Sequence, residues 1–295
     1  MADALVSTSL RPSFYAPIPE SAREDLLLAY RQFLERRNGD MNFDERGFSL
    51  REKWLGEAAS WDSQYKGKVD GEAFNRAYGS FDEVKNLSIQ EVALLTFVKA
   101  NAGEAYGVEV VNRVRQKRVD GTKLFHQVEK LLGFEETYHT RILIGATQHF
   151  GVKVEGAWRP NLQLRLLIGS LAYAPGLFFH PILLASEISG VFMFQWMLKR
   201  VGELFRDQPA VRESMEQRLI EILVDEVGHV AFNRMAVGPL GLSLVRNMAA
   251  GVLRGVSGTT PEYKALGLNE HEMGKLNSFD LEQLPEEVLR RAYFV

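Results

Sequence analysis

The residues in this chain best suited to chemistry are two Glu-x-x-His sets, Glu136-Thr137-Tyr138-His139 and Glu226-Val227-Gly228-His229. Residues three apart share one face of a helix, so each set offers a carboxylate and an imidazole to the same point. A bare Glu-x-x-His is weak evidence, since about 0.5 matches are expected by chance in a chain of this composition. The acid in front of each set carries more weight: Glu135 precedes Glu136, and Asp225 precedes Glu226. About 0.07 such extended matches are expected by chance, and two are present.

Further carboxylates stand on two other helical stretches. Glu104 has Phe97, Ala100, Gly107, Val108 and Val111 at helical spacing, with Asn101 as the polar exception. Glu109, its nearest alternative, sits among Tyr106, Asn112 and Arg113 and reads as surface. Glu187 is flanked by Leu183, Leu184, Gly190, Val191 and Phe194. An unpaired carboxylate on such a face is costly, and a metal ion gives its charge a partner. A buried acid with a raised pKa, or one bridged to an arginine, is the alternative. The set Glu104, Glu136, His139, Glu187, Glu226 and His229 carries a charge of −4 that two divalent ions balance. Oxygen-rich ligands of this kind suit iron or manganese better than a sulfur-and-nitrogen zinc site.

The elements that must position these groups read as helices. Ser-x-x-Glu capping signatures recur at Ser21/Glu24, Ser49/Glu52, Ser80/Glu83 and Ser88/Glu91. Shorter helices are expected near 21–37 and 49–62. Four long ones are expected over 89–118, 123–150, 178–205 and 209–237, with Asp120-Gly121 ending the first. Pro181 falls in the first turn of the third, and Asp207 lies near the cap of the fourth. An apolar helix is expected near 161–174, and short covering helices over 240–295. The organisation implied is one all-α domain over 1–295: an N-terminal extension (1–87), a metal-binding bundle (88–238) and C-terminal covering helices (239–295).

Composition narrows the classes. The net charge of −3 gives no reason to expect a nucleic-acid partner. The basic run at 113–118 reads as a solvated helix end. With no cysteine, disulfides, iron–sulfur clusters and thiolate sites are excluded within the chain. Residues 166–184 carry no Asp, Glu, Lys or Arg, yet Pro175-Gly176 breaks the stretch, so a deeply buried helix pair is expected rather than a membrane span. The first twenty residues lack a secretory pattern, and a cytoplasmic location is the expectation.

These motifs resemble the ferritin-like di-iron carboxylate superfamily over about 89–237, which implies a ferritin-like four-helix bundle. The spacing is most similar to the aminobenzoate N-oxygenase group, whose signature is a Glu followed, some 28–37 residues on, by Asp/Glu-Glu-x-x-His, twice over. Here 30 residues separate Glu104 from Glu135, and 37 separate Glu187 from Asp225. The resemblance implies that the six residues above are metal ligands. It also implies that Glu135 and Asp225 hold the histidines of the facing helix. One position departs: that group has a further ligand histidine one turn before the last Glu, where this chain has Ile222. His180, two turns before Glu187, stands as a candidate extra ligand, or as a helix-start or core histidine.

Room for a substrate is suggested by Gly107 and Gly190, each three residues after a candidate ligand, and by Gly228 inside the second set. Mid-helix glycine costs about 1 kcal/mol relative to alanine, and either ligand space or close helix packing is the return. Phe194 and the other large groups of its helix read as pocket wall or as plain core. The function implied is a di-iron oxygenase that uses dioxygen on a small, apolar or aromatic, free or carrier-tethered molecule, by hydroxylation, N-oxygenation or desaturation. Its cofactor is two iron ions (manganese the alternative), and no catalytic side chain is expected beyond the metal ligands. Electrons would come from a ferredoxin or a reductase, and a homodimer is compatible with this reading. An iron-storing ferroxidase and a metal-free helical interaction protein are the alternatives.

Overall fold

The computed structural model describes residues 12–42, 47–115, 122–156 and 158–295. The expected end of the first long helix at Arg118, its Asp120-Gly121 stop and the rest of the basic run lie outside the described residues. The chain is all-α apart from one two-stranded antiparallel ribbon among the described residues, β1 (Met41–Asn42) with β2 (Gly47–Phe48).

Two short helices, α1 (Arg23–Asn38) and α2 (Ser49–Ala59), precede α3 (Gly71–Gly79). The long helices α4 (Ile89–Arg115) and α5 (Leu124–Gly145) follow. After α6 (Leu162–Tyr173) come α7 (Gly176–Leu204) and α8 (Pro209–Ala236). Helix α4 lies against α5, α5 against α8, α8 against α7, and α7 against α4. These four close a bundle ring whose interior receives one candidate ligand from α4, two from α5, one from α7 and two from α8. Their inward faces are apolar elsewhere, as Val98, Ile142, Ile188 and Leu223 show, and burial of these faces holds the ring together.

Helices α1 and α2 cover the α5/α8 side, and α6 lies across α4 and α7 on the opposite side. The C-terminal part comprises α9 (Pro239–Thr259), α10 (Glu262–Ala265), α11 (Glu270–Gly274) and α12 (Glu286–Arg291). Here the expectation of short helices is corrected: α9 has 21 residues and packs along α7. Its apolar stripe, Leu242, Val245, Ala249 and Leu253, follows the helical repeat, and that stripe outweighs the many glycines in the segment.

The capping signatures are realised once of four. Ser88 Oγ accepts from the Glu91 amide at 3.2 Å, and the Ser88 amide donates to Glu91 Oε2 at 2.7 Å. Ser49 is itself the first residue of α2, Ser21 lies inside a 3-10 turn, and Ser80 makes no side-chain cap bond. Asp70, absent from that set, caps α3 instead. Helix α7 starts two residues earlier than expected, so Pro181 sits in its second turn, and the residue before α8 is Gln208 rather than Asp207.

The apolar stretch 166–184 is also corrected. Leu166, Tyr173, Leu177 and Phe178 are exposed, because α6 and the first turn of α7 form a layer over which none of the described residues packs. Among the described residues only α7 is long and apolar enough to cross a membrane, and 56% of its apolar window is buried in the bundle.

Candidate metal centre

Helices α5 and α8 bring the two Glu-x-x-His sets face to face. The imidazoles of His139 and His229 lie 5.5 Å apart, centre to centre, with planes 28° from parallel. His139 Nε2 is 3.2 Å from Asp225 Oδ2 on α8, and His229 Nε2 is 3.2 Å from Glu135 Oε2 on α5. Each ring therefore donates its Nε2–H to the extra acid of the other helix. That bond commits Nε2 to the acid and leaves Nδ1 as the nitrogen a metal would take. Both Nδ1 atoms turn inward. His139 Nδ1 is 3.3 Å from Glu136 Oε2 and 3.3 Å from Glu226 Oε1. His229 Nδ1 is 2.9 Å from Glu136 Oε1 and 3.9 Å from Glu187 Oε2. Glu136 thus presents one oxygen to each histidine.

Ligand atoms of Glu136, Glu187, Glu226 and His229 lie within 4.8 Å of one another, a spread a metal ion can span. His139 joins through its contacts with Glu136 and Glu226. Glu104 enters from α4, near both histidines, and its buried Oε2 has no hydrogen-bond partner. The six sequence-predicted ligands are therefore together. His180 is not in that group. Its Nδ1 is 3.4 Å from Asn233 Oδ1, and its ring stands edge-on to Phe125 and Phe179 in a cavity wall. Ile222 is fully buried apolar core, and Glu109 is exposed and paired with Arg113.

Sequence reasoning missed the layer behind the histidines. Arg51 of α2 reaches Asp225 Oδ1 at 2.5 Å, Glu135 Oε1 at 3.1 Å and Glu221 Oε1 at 2.7 Å. Arg37 of α1 reaches Asp225 Oδ1 at 2.5 Å and Glu221 Oε1 at 3.0 Å. Asn38 donates to Glu135 Oε1 at 2.7 Å, and Arg291 of α12 closes on Glu221 Oε2. Three acids (Glu135, Glu221 and Asp225) thus meet three arginines (Arg37, Arg51 and Arg291), and the outer layer is neutral. The one local signal was Glu221, a helical turn before Asp225.

The inner layer is not neutral by itself. Burial pushes the Glu104 and Glu187 carboxyls well above the usual range, and nearby Glu226 and Glu136 push further. Burial opposes charge on His139 and His229, but Glu136 and the other acids outweigh it and hold both rings' pKa values up. Burial also works against the Glu136 carboxylate, but His229 and His139 hold it well below its ordinary value. Glu104 Oε2 has no hydrogen-bond partner, and His139 Nδ1 meets two carboxylates at 3.3 Å without a hydrogen bond. Carboxylate excess, inward imidazole nitrogens and an orphaned carboxylate oxygen together fit a pair of divalent ions.

Two cavities reach the cluster, both bordered by Glu104, Glu136 and Glu187. The larger, of about 890 Å³, is lined by Gly107, Leu183 and Phe232 among others. The smaller, of about 280 Å³, is lined by Gly190, Met193, Phe194 and Trp158. Residues Ile168 and Leu171 of α6 border both. Gly107, Gly190 and Phe194 thus border these cavities.

No protein-family model, no curated protein and no solved structure matches this chain.

Gly228 serves close packing rather than ligand space. A Cβ there would lie 2.8 Å from the Tyr30 hydroxyl and 3.1 Å from its Cε2. Tyr30 is wholly buried against Phe33, Phe232 and Tyr293 and has little room to retreat. Gly228→Ala is expected to cost about 1–3 kcal/mol by overpacking. Urea denaturation measures this, and Tyr30→Phe in the same background should recover part of the loss. A Gly228→Ala protein as stable as the parent would refute the packing role.

Proposed function

We propose that the chain is a ferritin-like di-iron oxidase or oxygenase that acts on a small organic molecule. The observation that carries this reading is the crossed pairing of each histidine with the extra acid of the facing helix. Behind it lies a charge-balanced outer layer, and in front are four inward carboxylates whose positive partners are the two histidines themselves. Such a cluster is expensive as plain core and suits two divalent ions. A bound iron pair supplies two-electron oxidation by dioxygen.

The protein's own residues do the rest. Glu136, which turns one oxygen to each histidine, and Glu226, which meets His139, would hold the ions together with the histidines. Glu104 and Glu187 sit where the ligand set borders the two cavities, so a molecule in either one lies beside the cluster. The wall of the smaller cavity is mostly apolar, which strengthens electrostatic contacts beside it. Asp225 and Glu135 keep the imidazoles in the tautomer that ligation needs. Electrons come from a separate ferredoxin or reductase, since the chain has no cysteine for an iron–sulfur centre of its own. The cavities favour an organic substrate over iron storage, which has no use for an 890 Å³ chamber beside the metals.

Anaerobic loading with Fe(II), followed by desalting and metal analysis, tests the proposal. About two irons per chain are expected, as paired sites of this ligand type hold. His229→Ala and Glu136→Ala should each drop below one while keeping the helical circular-dichroism spectrum. Parent protein holding fewer than one iron or manganese per chain would sink the metal reading. A hollow multi-subunit shell in solution would favour storage.

A further inference from the structure

The smaller cavity contains a feature that metal binding leaves unexplained. Tyr263, on α10 of the C-terminal cover, lines it beside Thr260, Val256 and Trp158. The residue is 1% exposed, and its hydroxyl has no hydrogen-bond partner. A buried hydroxyl left unpaired costs about 1–3 kcal/mol. The ring cannot easily turn away. Trp196 stands edge-on to it at 6.3 Å, the Tyr263 amide donates to Thr260 O at 3.1 Å, and its carbonyl accepts from the Leu268 amide at 2.9 Å. Burial raises its pKa first and Glu104 adds to the rise, so the hydroxyl keeps its proton and acts as a donor. Among the described lining residues, the only other buried polar atom without a partner is Glu104 Oε2, which belongs to the metal cluster. The larger cavity offers no such atom besides Glu104.

Charge at this cavity is already settled. Lys99, 3% exposed, lines it and is paired with Glu262, which is fully buried. Its ammonium also donates to Ala77 O at 3.3 Å and stands 5.9 Å from the Trp158 ring. The second oxygen of Glu262 has no partner. An anionic ligand would therefore find a cation that is already neutralised, with an acceptor to spare beside it. Most of the remaining wall, Met193, Phe194, Ile182 and Val252 among it, is apolar, and the hydroxyls of Ser186, Ser189 and Thr259 there already donate to carbonyls of their own helices.

We infer that this cavity is a subsite for a neutral molecule of one ring or a short chain, carrying a single hydrogen-bond acceptor that Tyr263 Oη engages. The body of the molecule then lies along the apolar wall toward Glu104 and Glu187. Its size is bounded by the 280 Å³ available, the room of about nine waters. Selectivity follows from the polar group: a site built to hydrogen-bond one ligand atom rejects analogues that lack it. Tyr263 is a specificity-determining residue in this assignment. As a substrate assignment it rests on the metal-site reading above; as a binding site it does not.

Calorimetric titration of the full chain with three matched probes tests it, with iron capacity read on the same preparation. Acetophenone carries a neutral acceptor, ethylbenzene has none, and benzoate is charged. Acetophenone is expected to bind at least about tenfold more tightly than ethylbenzene, and benzoate more weakly than either. Tyr263→Phe should reduce acetophenone to the level of ethylbenzene and leave ethylbenzene unchanged. Val256→Trp, which fills the cavity from α9, should abolish binding of both neutral probes. The subsite is overturned if benzoate binds best, if Tyr263→Phe leaves the ratio as it was, or if Val256→Trp leaves acetophenone bound. Protein that takes up two irons but fails these probes refutes the subsite alone. Protein that binds acetophenone as described but takes up no iron refutes the metal reading alone.

Discussion

Arg51→Ala is expected to destabilise the protein by about 3–5 kcal/mol, the range for removing one partner of a buried ion pair. Arg51 is 2% exposed and is the only described cation that touches Glu135, Asp225 and Glu221 together. Without it, Asp225 and Glu221 keep Arg37, Glu221 keeps Arg291, and Glu135 is left with Asn38 and His229. Asp225, which burial alone would raise and which Arg37 and Arg51 hold well below its ordinary pKa, loses half of that support. An exposed pair gives the contrast. Arg31 and Glu35 lie 3.0 Å apart on the surface of α1, and Arg31→Ala should cost no more than about 1 kcal/mol. Urea denaturation of both variants measures the difference. Neutralising an acid as well, in Arg51→Ala/Asp225→Asn, should recover part of the loss, because the uncompensated charge then falls by one. A loss for Arg51→Ala no larger than for Arg31→Ala would show that the outer layer is not held by charge.

That outer layer marks where the sequence stopped being informative. Four of the inner residues and their two supporting acids were legible because each lies at fixed spacing from another on one helix, and Glu104 and Glu187 because each stands among apolar residues at helical spacing. Spacing of three reports a shared face, and an acid directly before the pair points sideways toward a neighbouring helix. Arg37, Asn38 and Arg51 had no such relation to the acids they hold. They come from α1 and α2, which meet α5 and α8 only through tertiary packing, and no local repeat encodes that. The sequence read Gly228 as ligand space or close packing, and only the position of Tyr30, nearly two hundred residues earlier in the chain, decides between them. Helix α9 was read only as part of a tail of short helices, in a segment rich in glycine. Its stripe against α7 overrides the weak intrinsic preference. The Ser-x-x-Glu signatures overcounted caps for a similar reason. The pattern shows that a cap is feasible, while the backbone geometry at Ser21, Ser49 and Ser80 went elsewhere.

Filling the inner cluster with two divalent ions is expected to expel protons at neutral pH, since ligands must be deprotonated. The expectation follows from four groups. Burial and neighbouring acids push the carboxyls of Glu104 and Glu187 toward the protonated form. Glu136 and the other acids, outweighing burial, push the rings of His139 and His229 toward theirs. Glu136, held ionised by those two rings, contributes none. The protons are the metal-free protein's way of neutralising the same buried charge that the ions would neutralise. Affinity should therefore fall steeply as pH falls, since more protons must be displaced from groups that hold them more firmly. Calorimetry with Mn(II) in buffers of different ionisation heat gives the number directly, with no redox step involved. Glu136→Gln sharpens the test. Its loss removes the charge that keeps both histidines protonated, so fewer protons should leave even though metal binding also weakens. Release of one proton or none by the parent protein would mean that these four groups are not the ones the metal takes.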